Sequence, residues 1–170
     1  MFPFALTIHQ PHANEIFAGT KTEELRQWRP VPYIAWGVFG KPLLPPFALL
    51  IHAGSRKRAH QGAKGPYSCY LGVALFDTIT HAPGGNYAWH IAQTYSFKRP
   101  VPGTGNPSLW RPPLPVRVSI LAAIDASPAA WLIDYFPKQP CPASTGQALP
   151  DELPLELEAA AQWSMSPLFA

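Results

Sequence analysis

Cysteine is scarce in this chain: Cys69 and Cys141 are the two in 170 residues. Neither has a second cysteine at metal-ligand spacing, and two thiols make no disulfide framework. A small disulfide-built domain and a cysteine-based zinc site are therefore both disfavoured, and two reduced thiols are expected. Long apolar runs are missing as well. None reaches the roughly 18 residues that a membrane helix needs, so no membrane partner is expected. No glycine-rich phosphate fingerprint follows a strand pattern, which argues against a nucleotide-binding α/β fold. Residues 1–8 are apolar but carry neither a basic stretch nor a small-residue cleavage site. A signal peptide is not expected, and the expected compartment is the cytoplasm.

Acidic residues are few where basic ones are many. Residues 1–117 hold 12 Lys+Arg against 4 Asp+Glu, a net of +8, while residues 118–170 hold 1 against 6, a net of −5. A basic body suggests a polyanionic partner, RNA or another nucleic acid. Ordinary surface charge is the alternative.

What the chain has in excess is proline, 22 of 170 residues. Each removes a backbone donor and shortens helices, so short strands and ordered loops are favoured over a helical bundle. Hydrophobic residues at 47% suffice for one domain with a packed core.

Phe4 to Ile8 is β-prone and reads as a first strand. Pro11 suits the first position of a helix over Pro11–Ala18, with Ala13, Ile16 and Phe17 at helical spacing and Gly19 as left-handed C-terminal cap. A strand over Thr22–Trp28 follows. Residues 29–46 read as a proline-rich loop or insertion packed by Tyr33, Trp36 and Phe39. Phe47 to His52 is a buried strand. Gly54 to Pro66 is basic and is expected to be exposed. Tyr67 to Thr80 is one long strand or a pair, with Gly72 marking a bulge. Pro83 to Asn86 is a turn, and Tyr87 to Phe97 a strand. Pro100 to Pro115 is loop, and Val116 to Ile124 alternates as a strand does. Ser127 and Pro128 start a short helix ending near Phe136. Residues 137–150 read as a linker and Leu155 to Trp163 as an acidic helix. This order, with no alternating βαβ units, predicts an α+β fold: a small mixed β-barrel flanked by short helices and proline-rich loops.

Gly19 to Arg26 is the most informative stretch. On a strand, residues two apart share a face. Thr22, Glu24 and Arg26 then lie together with Lys21 at their entrance, while Glu23, Leu25 and Gln27 fall opposite. Such a row is either an exposed, self-paired strand face or the floor of a polar cleft.

Leu6-Thr7-Ile8-His9-Gln10-Pro11-His12-Ala13, followed by Gly19-x-Lys21-x-x-Glu24-x-Arg26, resembles the ASCH domain, the homology domain of the activating signal cointegrator. Leu50 to Ala53 resembles that family's next strand. Tyr87-Ala88-Trp89 with Pro100 to Trp110 resembles its late aromatic strand and proline–glycine loop. The similarity covers residues 4–125. It implies a PUA-like barrel, placed here over 1–136; the insertion at 29–46 and the acidic tail fall outside the simplest family pattern, and 137–170 is read as a linker and acidic helix packed on the same domain. It also implies a cleft lined by the signature residues and a ligand among RNA or modified nucleosides. Some members resemble ribonucleases, and some small ones are amidohydrolases acting on N4-acetylcytidine. Two positions depart from the pattern: His12 stands where a tryptophan is usual, and Glu24 where the deacylating members place a threonine.

An RNA-binding domain is the function these features suggest first. Lys21 and Arg26 are candidates for phosphate, with Glu24 holding their geometry or acting as a base. A hydrolase in the same cleft would use His12 or His52 as acid or base, beside Lys21 and Glu24. Trp28 and Trp89, with Tyr33, Trp36 and Trp110, are candidates for base stacking. Arg56, Lys57, Arg58 and Lys64 would follow the phosphate backbone, and Ser55 would donate to a ligand. No residue cluster has metal-site spacing, and no cofactor is expected. A non-catalytic module that binds a protein through its proline-rich loops and acidic tail is the competing reading. In another version the tail covers the basic cleft.

Overall fold

The structure, a computed structural model, describes residues 2–35, 38–124 and 128–136. The expected linker at 137–150, the acidic helix at 155–163, Trp36, Ser127 and Cys141 lie outside the described residues.

The fold is mixed α+β. Its strands are β1 (Phe4–Ile8), β2 (Glu23–Arg26), β3 (Tyr33–Ala35), β4 (Val38–Phe39), β5 (Phe47–Ala53), β6 (Cys69–Ala82), β7 (Asn86–Pro102) and β8 (Leu109–Trp110). Among the described residues three short α-helices accompany them: α1 (His12–Phe17), α2 (Leu114–Ala123) and α3 (Ala130–Ile133). Six strands form one sheet in the order β2-β7-β6-β5-β1-β8, curled into a half-barrel. Among the described residues of that sheet, β1 and β5 are the parallel pair, and their register sets Thr7 beside His52. The stretch expected as a proline-rich loop contains the separate ribbon of β3 and β4, closed by an edge-on contact of Tyr33 with Phe39.

β5 is buried at every position because the sheet is covered on both faces, which is why its sequence is a continuous apolar run. Phe47, Leu49, Ile51 and Ala53 pack on one side with α1 residues Ala13 and Ile16. Ala48 and Leu50 pack on the other with Ile120 of α2 and Leu132 of α3. β6 changes its parity partway: Cys69 and Leu71 belong to the first layer, then Ala74 and Phe76. The register slip between Tyr70 and Gly72 accounts for the switch. Gly72 is required there, since a Cβ would overlap the Tyr95 carbonyl of β7.

Residues 116–124, expected as a strand, are helical. Val116, Val118 and Ile120 satisfy a period of two, but Ile120 is fully buried while Val118 is 59% exposed. Pro115 sits in the first turn, where its missing N–H costs nothing, and Arg117 N–H reaches the Pro113 carbonyl. Burial of Ile120, with Val116, Leu121 and Ile124 packed around it, selects the helix. No helix among the described residues is long and apolar enough to cross a membrane.

Candidate functional site

β1 leads directly into α1, and Gln10 fixes that junction. Its side chain is fully buried. Gln10 Oε1 accepts the Asn14 backbone N–H at 3.1 Å, closing the first turn of α1. Gln10 Nε2 donates to Asn14 Oδ1 and to the Pro66 carbonyl, both at 2.9 Å. The same residue therefore holds the start of α1 and the end of the basic loop that follows β5. Pro11, expected at the first helical position, is the residue before it and already has helical dihedrals. At the other end Thr20 N–H bonds the Glu15 carbonyl and Gly19 N–H the Ile16 carbonyl. With Gly19 at φ 74° this is a Schellman stop, and it turns the chain into β2.

On β2, Glu24 and Arg26 face inward while Leu25 is half exposed, as the alternation requires. Glu24 is buried and held between two cations: Arg26 at 2.8 Å and Lys21 at 3.3 Å. Arg26 also donates to the Thr7 carbonyl at 3.0 Å, which ties the edge strand β2 back to β1. Its Nε is buried with no hydrogen-bond partner.

Beyond Arg26 opens a cleft of about 580 Å³. Arg26 and Trp28 form one wall, Thr7 and His9 come from β1 and its end, and Gly54, Ser55 and Arg58 follow β5. His52 forms part of the base, and the loop Thr104–Ser108 closes the remaining side. Among the described residues no carboxylate lines this cleft. The guanidinium of Arg26 lies 5.8 Å from the Trp28 ring centroid, and Trp28 packs edge-on against Trp89.

Two imidazoles sit among these cations, and each has a defined tautomer. His52 Nε2 lies 3.0 Å from the Gly103 carbonyl, which can only accept, so Nε2 carries the proton. His52 Nδ1 faces Thr7 Oγ1 at 3.4 Å, and that hydroxyl donates to the Asn106 carbonyl at 3.0 Å. Both side chains of the parallel pair thus anchor the 103–108 loop. His9 Nδ1 is buried against Gly54 without a partner. An N–H there would be a buried donor with no acceptor, so the proton of the neutral ring sits on Nε2. Burial lowers the pKa of both rings. Arg58, Arg26 and His60 lower His9 further. At His52 the Gly103 hydrogen bond acts the other way, and His9 lowers it slightly more.

Of the residues expected at the site, Arg26, Trp28, His52, Ser55 and Arg58 line the cleft together. Lys21 and Glu24 do not; they are paired with each other beside it. Of the expected floor of Lys21, Glu24 and Arg26, Arg26 lines the cleft, while Glu24 holds it from beside together with Lys21. His12, expected to work with His52, sits on α1, where its Nδ1 pairs with Glu15 at 2.7 Å and its ring meets His60. Trp89 is fully enclosed in the core between Phe47, Phe76 and Trp28, so it offers no face for a base. Arg56, Lys57 and Lys64 are exposed on the loop outside the cleft.

His9, Thr7 and the 104–108 loop were not anticipated. Two signals point to them. Thr7 and His9 are polar residues two apart beside the buried Leu6 and Ile8. Gly103 and Gly105 leave room for rings, since a Cβ would overlap Tyr70 at the first and His52 at the second. Among the described residues no group of three or more His, Cys, Asp or Glu is placed to hold a metal ion. No protein-family model matches the chain, and no curated protein matches it.

Proposed function

We propose that this chain is an RNA-binding domain of the ASCH, PUA-like type, taking a single strand in the cleft beside β2. The observation that carries this reading is the lining itself: two arginines, two neutral imidazoles, a tryptophan and several hydroxyls, with no carboxylate among the described residues. Such a site attracts phosphate and offers a surface for a base. The exposed Arg56, Lys57 and Lys64 extend the positive surface away from the cleft, where a phosphodiester backbone would continue.

Binding is favoured over hydrolysis. Phosphodiester cleavage by paired histidines needs one ring free to take a proton and one free to give it. Here His52 Nε2 is tied to Gly103, and its Nδ1 is covered by Thr7. His12 is engaged with Glu15. A deacylase would need Lys21 or Glu24 at the reacting carbon, and both are held in the ion-pair cluster. Filter binding with single-stranded RNA at low salt tests the proposal. The wild-type chain should retain RNA and release it as salt rises, and Arg26→Ala should weaken retention. Equal retention of wild type and variant would overturn it.

A further inference from the structure

We infer that Arg26, Arg58 and the Nε2–H of His9 form a phosphate subsite at one end of the cleft, which seats one phosphate group of a nucleotide. The inference rests on the nucleic-acid reading above and narrows it to three donors.

Each donor comes from a different part of the chain: Arg26 from β2, His9 from the end of β1, Arg58 from the turn after β5. All three line the same cleft. Donors arriving from three elements suit a tetrahedral oxyanion better than a flat carboxylate, whose two oxygens accept in one plane. Arg26 Nη2 is held by Glu24 and the Thr7 carbonyl and its Nε is buried, so Nη1 is the nitrogen left to face a ligand. Among the described residues His9 Nε2 has no hydrogen-bond partner, while Nδ1 is buried against Gly54. Glu24 is shared by Arg26 and Lys21 beside the cleft, whereas Arg58 has no carboxylate beside it among the described lining residues. About 580 Å³ lies within the size range of sites that hold one small molecule, so a single nucleotide unit is the natural occupant.

The test is a calorimetric titration of the full chain with inorganic phosphate, cytidine and cytidine 5′-monophosphate. The monophosphate should bind at least about tenfold more tightly than the nucleoside, the scale of one charge-assisted hydrogen bond. Inorganic phosphate should compete with it. Arg58→Ala, a change at an exposed side chain, should remove most of that difference. His9→Gln, which keeps a donor, should lose less than His9→Ala. Cytidine binding as tightly as its monophosphate, or an Arg58→Ala chain that keeps the full preference, overturns the subsite. If phosphate and monophosphate bind with this dependence but RNA does not, the subsite stands and the RNA reading falls. If RNA binds and phosphate neither binds nor competes, the subsite falls alone. Comparing 5′-phosphorylated with 5′-hydroxyl oligonucleotides then identifies the source. Preference for the former means a terminal phosphate, and equal binding means an internal one.

Discussion

His9 and His52 are neutral rings in a cationic cleft, and that has a measurable cost in acid. Burial is the largest cause at both, and the Arg58 and Arg26 charges add to it at His9. In the unfolded chain each ring titrates near 6.5, and in the folded chain each titrates lower. The unfolded state therefore binds more protons once the pH drops below about 6.5, and folding stability falls with it. Above that pH the contribution is fully present. Urea denaturation should give a lower midpoint at pH 5.5 than at pH 7.5. His52→Gln, whatever its own cost, should shrink that difference. A midpoint that rises toward pH 5.5 would mean that the rings gain rather than lose by protonation.

At the scale of elements, the bulge in β6 decides how the two layers of the core meet. It lets Leu71 and Ala74, three apart, share a face. The crowding atom at Gly72 is backbone, so Gly72→Ala cannot be relieved by a rotamer change. The variant should lose about 1–3 kcal/mol, the range for overpacking a filled core, and thermal denaturation would show it. A melting temperature equal to wild type would mean the β6–β7 pair can separate at no cost.

The bulge, β5, the Gly19 stop and the β6–β7 turn were legible because each is signalled locally, by a glycine or an unbroken apolar run. The segment 116–124 was not. Its Val–x–Val–x–Ile pattern fits a strand, and only the covered side of Ile120 decides for a helix. The same contrast runs through the site. Arg26, Trp28 and Arg58 stand in charged or aromatic runs that announce themselves. His9 acquires its place only when the end of β1, β2, the turn after β5 and the loop after β7 converge, which no local spacing encodes.

Charge belongs to the whole molecule. The net of +8 over residues 1–117 is unevenly placed. Arg26 and Arg58 lie in the cleft, whereas Arg56, Lys57 and Lys64 lie outside it on the exposed loop that Gln10 and Asn14 fasten to α1. The two groups should therefore separate in experiment. Each phosphate of a single strand neutralised by the protein contributes about −0.7 to the slope of log K against log salt concentration. Replacing Arg56, Lys57 and Lys64 together by alanine should reduce the steepness of that slope for RNA by roughly 2. Mononucleotide binding should be unchanged, because none of the three lines the cleft. The fold should persist, because the contacts holding the loop use Gln10, Asn14 and main-chain carbonyls rather than these side chains. A slope equal to wild type would show that the strand does not follow the loop. Loss of mononucleotide binding in the same variant would show instead that the loop shapes the cleft from outside.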